Sequence, residues 1–260
     1  MFGSLLVKEL ADSYDVIATT RDTLDLRDVN AVGNTARGAF AFLCAAGPFQ
    51  QLDRRIVRAV VDVGAHWLDI ADDERWFFDL VDDAMLDTLA RERGVVVMPG
   101  LSTLPAISYA LVRRIGSPQV SITLYIGNDN EKGAAAIASG ASLRTPDREL
   151  LRRDGIDAEV RTRFEMPGVR LAMRMLAMFP VATRMRIATV IAHVAKMVRF
   201  GSRGGYLEVR SSDRVERVSG SDQRMAILPP LVFALQHLPP PGVHAPTVLD
   251  PEQLLEFVAE

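Results

Sequence analysis

Residues 39–51 read Ala39-Phe-Ala-Phe-Leu-Cys-Ala-Ala-Gly-Pro-Phe-Gln-Gln51, a continuous apolar run that stops at a Gly-Pro pair. A run with no alternation suits a strand covered on both faces, as in a parallel sheet. Working outward, residues 52–64 place Ile56, Val57, Val60 and Val61 on one helical face. His66-Trp-Leu-Asp-Ile70 then reads as a strand, 74–93 as a charged amphipathic helix, and Val95-Val-Val-Met98 as a second buried strand closed by Pro99-Gly100. Strand and helix alternating at this spacing predict right-handed crossovers and an α/β fold with a doubly wound, Rossmann-type parallel sheet.

On the amino-terminal side, Phe2, Leu5, Leu6 and Leu10 fall at helical spacing, and Asp15-Val-Ile-Ala-Thr-Thr20 is a β-branched run read as a strand. Beyond about residue 116 the character changes. Val120–Ile126 and Tyr206–Arg210 alternate as strands of a second, α+β portion, with helices expected between and after them. The division expected is a nucleotide-binding domain over 1–105, an α+β substrate or dimerisation domain over 106–235, and a carboxyl-terminal linker and helix over 236–260. Pro239-Pro-Pro-Gly242 reads as a rigid linker. Asp250 and Pro251 suit an N-cap and a first helical residue.

The totals exclude several classes. The 260 residues are 48% hydrophobic and 24% charged, the balance of an ordinary globular chain. A formal net charge of −3 gives no global reason to expect a nucleic-acid partner. Cys44 is the sole cysteine, and the four histidines have no metal-ligand spacing, so no disulfide within the chain and no metal site are expected. There is no secretory-type leader and no apolar run of about 18 residues, so the expected location is cytoplasmic.

In a Rossmann fold a glycine turn and a helix N-terminus receive the pyrophosphate, and the residue after the next strand reads the ribose. Gly3 stands at the first helix, and Thr20-Arg21 follows the expected strand. An acidic residue there would accept from the 2′-hydroxyl of NAD; Arg21 would pair with a 2′-phosphate, which points to NADP before NAD.

Three segments together carry a resemblance: Cys44-Ala-Ala-Gly-Pro-Phe-Gln-Gln51, Val57-Arg-Ala-Val-Val-Asp-Val-Gly-Ala-His-Trp-Leu-Asp-Ile-Ala-Asp-Asp73 and Val95-Val-Val-Met-Pro-Gly-Leu-Ser-Thr-Leu-Pro-Ala106. In this order they resemble the saccharopine dehydrogenase-like NAD(P)-binding oxidoreductases. Gly127-Asn-Asp-Asn-Glu-Lys-Gly133 and Pro241-Gly-Val-His-Ala-Pro246 extend the likeness, which covers about 1–142 and 201–260. The resemblance implies a nicotinamide cofactor beside Cys44, Ala45, Gly47, Pro48 and Phe49, and places Asp69 near it. Asp72, at the same strand end, is a further candidate. Ser102 and Thr103 could donate to substrate or nicotinamide, or cap the helix that follows. His66 reads as a packed residue and Cys44 as a small hydrophobe rather than a nucleophile.

One departure stands at the start. The family opens with an apolar strand and three glycines, of which only Gly3 is matched, so the chain is expected either to begin upstream of Met1 or to be a degenerate copy. The expected function is an oxidoreductase acting on a small molecule, an amino-acid or imine compound or a lipid-linked enoyl or carbonyl compound. The alternative is a non-catalytic remnant with a structural or regulatory role. Residues 161–203 hold nine basic residues and one acid, Glu165. A basic amphipathic helix over 181–200 can meet a membrane surface or an acyl carrier, or it can be a dimer-interface helix.

Overall fold

The computed structural model describes residues 2–127, 144–165, 168–197, 201–202, 204–220 and 228–259. The apolar runs form the first sheet: β1 (Ala41–Cys44), β2 (His66–Asp69) and β3 (Val96–Met98) are adjacent and parallel, as the sequence predicts. A fourth strand, β8 (Gly242–Val243), pairs in parallel with β3 at the far edge. The expected linker there is corrected in part, because Gly242 N–H and His244 N–H donate to the Val95 and Val97 carbonyls. The Val243 N–H is taken by Asp87 Oδ1 at 2.9 Å.

Both faces of this sheet are covered. Trp67 and Val97 enter one core with Ile56, Val57 and Val60, whereas Leu68, Val96 and Met98 enter the other. Fully burying each such side chain contributes about 1.5–3 kcal/mol, and alternate residues of one strand serve opposite layers. Helices α1 (Phe2–Leu10), α2 (Val29–Ala36), α3 (Arg55–Asp62), α4 (Glu74–Val81) and α5 (Ala84–Arg93) supply the layers.

Two local readings change. Residues 15–20 form no strand: they are largely exposed, and β1 has no neighbour on that side among the described residues. An isolated β-branched run has no ladder to satisfy its backbone, so propensity alone does not hold it. For the same reason β1 is an edge strand, shorter than 39–46 and only partly buried. The helix expected over 74–93 is two helices. Asp83 breaks it by accepting from the Met85 and Leu86 N–H groups as the N-cap of α5, and Arg58 holds the same carboxylate at 2.8 Å.

The second portion starts with α6 (Ser108–Ile115) and builds a mixed sheet in the order β5-β4-β6-β7. Here β4 (Gln119–Ile126) pairs in parallel with β5 (Asp157–Phe164) and antiparallel with β6 (Gly205–Arg210), which pairs with β7 (Val215–Gly220). Strand β5 replaces part of the helix expected there: its charged residues alternate with Ala158, Val160 and Phe164. Gly127, after β4, is fixed by space, because a Cβ would lie 2.5 Å from the Gly204 carbonyl. The rest of the Asn128–Gly133 motif lies outside the described residues.

Ile122, Leu207 and Val209 share a core with Val96 and Met98, so the two sheets are joined through α6. Helix α7 (Asp147–Arg153) precedes β5. Helices α8 (Val169–Ala177) and α9 (Val181–Met197) follow it, and part of their apolar surface forms a separate small cluster around Leu176, Ala188 and Ala192. The chain closes with α10 (Pro229–Gln236) and α11 (Pro251–Ala259), and Asp250 caps α11 through the Glu252 and Gln253 N–H groups as expected.

Candidate functional site

The carboxyl ends of β1, β2 and β3 meet at one edge of the first sheet, where open α/β sheets place their ligands. Three loops converge there. After β1, Ala46 and Gly47 are exposed, the Gly47–Pro48 peptide is cis, and Phe49 is buried with its ring 5.4 Å from Trp76. Gln50 Nε2 donates to Asp73 Oδ2 at 2.8 Å, tying the β1 loop to the β2 loop. Cys44 is buried with its Sγ 3.8 Å from the Ala46 carbonyl, and desolvation pushes its thiol up to about 12. The thiol stays protonated near neutrality, consistent with a small hydrophobe.

The β2 loop is organised by Asp69, which is fully buried. Its Oδ2 accepts from Trp67 Nε1 at 2.8 Å and Trp76 Nε1 at 2.9 Å. Its Oδ1 accepts from the Ala71 N–H at 2.9 Å and the Gly100 N–H at 3.2 Å. Burial raises its pKa, and the four hydrogen bonds oppose the rise. All four partners are donors only, so a proton on either oxygen would displace one of them. Both oxygens are occupied, and Asp69 holds β2, α4 and the β3 loop in register.

On the β3 loop, Gly100 has φ +81°, and a Cβ there would lie 2.7 Å from the Phe77 ring. Ser102 turns inward, its Oγ donating to the Leu104 carbonyl at 2.6 Å, and Thr103 is buried beside it. The Ser102 side chain makes no cap bond to the following turn.

The second portion brings a further carboxylate. Asp147, at the start of α7, is buried and accepts from Ser108 Oγ, which also lies 2.9 Å from the Pro105 carbonyl oxygen. Its Oδ2 has no hydrogen-bond partner among the described residues. The Glu74 N–H donates to the Arg144 carbonyl at 2.8 Å, so the chain leading into α7 is bound to the start of α4. Asp72 is half-buried, and desolvation, with the like charges of Asp73 and Asp147, raises its carboxyl to about 7. Desolvation raises Asp147 to about 6, against the Ser108 bond. A carboxyl raised to about 7 can exchange a proton with a bound molecule near neutrality.

Of the residues singled out in the sequence, Cys44–Phe49, Asp69, Asp72, Ser102 and Thr103 lie on these three loops. Among the described residues, no hydrogen bond or ion pair links Gly3 or Arg21 to the β1 loop. Gly3 is exposed on α1, with no atom within 4 Å of a Cβ built on it. Thr20 begins an exposed turn instead of ending a strand, its N–H donating to Thr23 Oγ1 at 2.8 Å. Arg21 is exposed in that turn and pairs with no carboxylate among the described residues. His66 sits at the other end of β2, where Nδ1 accepts the Val96 N–H at 2.8 Å, a packing role as expected. The sequence reading missed Asp147 and Ser108. Pro146-Asp147 has the composition of any helix start, and nothing local marks its contact across 39 residues.

No family model and no curated protein matches the chain. Among solved structures, apo histidine-tagged saccharopine dehydrogenase (L-Glu forming) from Saccharomyces cerevisiae is similar, with a TM-score of 0.57 over 98% of this chain and 94% of that chain. Its sequence identity is 10%. The two chains share a fold. At that identity the likeness reaches the Rossmann-type architecture and stops there; it carries over no residue role and no substrate. No helix of the described residues is long and apolar enough to cross a membrane.

Proposed function

We propose that this protein is a saccharopine dehydrogenase-like, NADP-preferring oxidoreductase acting on an amino-acid or imine compound, or on a lipid-linked enoyl or carbonyl compound. The observation that carries this reading is the convergence of three parallel strand ends, to which the Glu74–Arg144 backbone bond ties the chain leading to Asp147. It is supported by the fold shared with a dehydrogenase.

The residues present suit a pyridine nucleotide. Ala45, Ala46 and Gly47 are small and leave the β1 end open to a close backbone approach, with Pro48 and Phe49 fixing the loop behind them. Helix α1 has no acidic residue in its first turn, so Gly3 and its neighbours present N–H groups to an anion without a competing charge. Thr20 and Arg21 would take the ribose and its 2′-phosphate. The bound nicotinamide supplies the hydride chemistry. Asp72, whose carboxyl desolvation raises to about 7, exchanges the proton that accompanies it, and Asp69 orients the loops. Ser102 and Thr103 stand on the β3 loop as the substrate-side hydroxyls.

A second reading, a non-catalytic protein that retains the fold, is favoured by one observation: residues 15–20 form no strand to carry Thr20 and Arg21 to a ribose. Titration of the protein with NADPH and NADH, followed by cofactor fluorescence, separates the two. Saturable binding, tighter for NADPH, is expected. No binding of either nucleotide would overturn the oxidoreductase reading in favour of the second.

A further inference from the structure

Helices α8 and α9 carry surface that the proposed oxidoreductase does not use. Leu171, Met175 and Met178 are exposed and spaced i, i+4 and i+7, so they form one stripe on α8, which Phe179 continues. Met178 is 83% exposed, more than any other large apolar residue described. On α9, Val190 and Ile191 are exposed as well. Six large apolar side chains facing water on two consecutive helices and the turn between them are costly for a surface that meets nothing. The small cluster of Leu176, Ala188 and Ala192 fixes the pair of helices to each other, so the exposed stripe is not a frayed core.

The charge along this stretch of sequence has one sign. From residue 166 to residue 207 the sequence contains Arg170, Arg174, Arg184, Arg186, Lys196, Arg199 and Arg203 and no acidic residue. The acids that bound this stretch are engaged elsewhere: Glu165 accepts from the Ser202 N–H at 2.9 Å, and Glu208 pairs with Arg217 at 2.9 Å. Arg174 lies within the α8 stripe, three residues from Leu171 and four from Met178, and is exposed. Arg186 and Val190 are exposed one turn apart on α9.

We propose that the α8–α9 pair is a peripheral membrane-docking surface that inserts its apolar stripe into an anionic lipid bilayer, with Arg174 and Arg186 against the headgroups. Apolar residues with cations beside them, in a stretch of sequence without an acid, complement an anionic interface on both counts. A protein partner of matching chemistry would have to combine an apolar face with a strongly acidic rim, and a second copy of this chain offers no acidic rim in the same segment. The surface goes beyond the oxidoreductase reading and does not depend on it.

The test is flotation of the full chain with phosphatidylcholine vesicles, with and without phosphatidylglycerol, at low and high salt. Binding to the anionic vesicles, weakened by salt and feeble on phosphatidylcholine alone, is expected. Two variants at exposed positions act independently, Met178→Glu with Phe179→Glu and Arg174→Glu with Arg186→Glu. Each should lower binding about ten-fold or more, with an unchanged circular dichroism spectrum showing that the fold persists. Absence of binding to anionic vesicles overturns the proposal. So does binding that survives both variants. A dimer in solution that Met178→Glu with Phe179→Glu converts to a monomer, without vesicle binding by the parent, overturns it in favour of an interface between copies. Capture of an acidic carrier protein without vesicle binding overturns it in favour of a protein partner.

Discussion

The Trp76 indole N–H donates to Asp69 Oδ2 at 2.9 Å, joining the first turn of α4 to the end of β2 beneath the site. Because Asp69 takes four N–H donors, replacing it by Asn turns an NH2 group against at least one of them. Asp69→Asn is expected to lower the stability of the fold by about 2–3 kcal/mol. Trp76→Phe, which removes one donor and leaves three, should cost less, about 1–2 kcal/mol. Urea unfolding followed by tryptophan fluorescence for Asp69→Asn, and by circular dichroism for both, checks the order. An unchanged midpoint for Asp69→Asn would show that the carboxylate is dispensable to the loops.

The pH dependence of stability follows from Asp72 and Asp147. Unfolded, each titrates near 3.8; folded, they stand at about 7 and about 6. Between those values the folded chain binds more protons than the unfolded one, so their contribution favours folding at low pH and is lost as pH rises through the folded values. Asp72→Asn or Asp147→Asn is expected to remove that loss, stabilising the protein by roughly 1–3 kcal/mol more at pH ~8 than at pH ~5. Thermal unfolding across this range measures it, and parallel curves for parent and variants would contradict the coupling.

Arg21 is the residue on which cofactor choice turns. A charge-assisted contact to a 2′-phosphate contributes about 1.5–3 kcal/mol, so Arg21→Ala should weaken NADPH by about 10- to 100-fold and leave NADH nearly unchanged. Fluorescence titrations of both nucleotides against parent and variant give the comparison. Equal losses for the two would remove Arg21 from the phosphate.

Gly100 is expected to tolerate no side chain. Its φ of +81° disfavours any L residue, and a Cβ would meet the Phe77 ring and the Pro105 ring at 2.7 and 3.1 Å. Gly100→Ala should cost about 1–3 kcal/mol and disturb the N–H bond to Asp69. A thermal melt reads the loss; a melting temperature equal to the parent's would mean that the β3 loop can move away from α4.

The parts of the fold legible in the sequence are those whose signals are local. The runs 39–46, 66–70 and 95–98 predict adjacent parallel strands, because they are short, largely apolar and lack the polar alternation of a half-exposed strand, and the register of β1, β2 and β3 agrees. Asp250-Pro251 predicts a helix start because capping is decided within four residues. Residues 15–20 mislead for a physical reason: β-branched residues favour a strand only where a neighbour supplies the ladder. Strand β5 was hidden because Glu159, Arg161 and Arg163 occupy its outward positions, and Asp83 splits a helix that periodicity alone runs through.

By itself the sequence determined the parallel sheet, the loop chemistry at its carboxyl end and the acid-free basic stretch beyond Glu165, all of which depend on residue type and spacing along the chain. Only the tertiary structure decided that Asp69 is saturated by two tryptophans and two backbone N–H groups. It also decided that Gly242–Val243 returns to edge the first sheet and that Ser108 and Asp147 meet across 39 residues. Those contacts join segments far apart in sequence, and their energetics depend on burial and on which donors surround each carboxylate, quantities that exist only once the chain has folded.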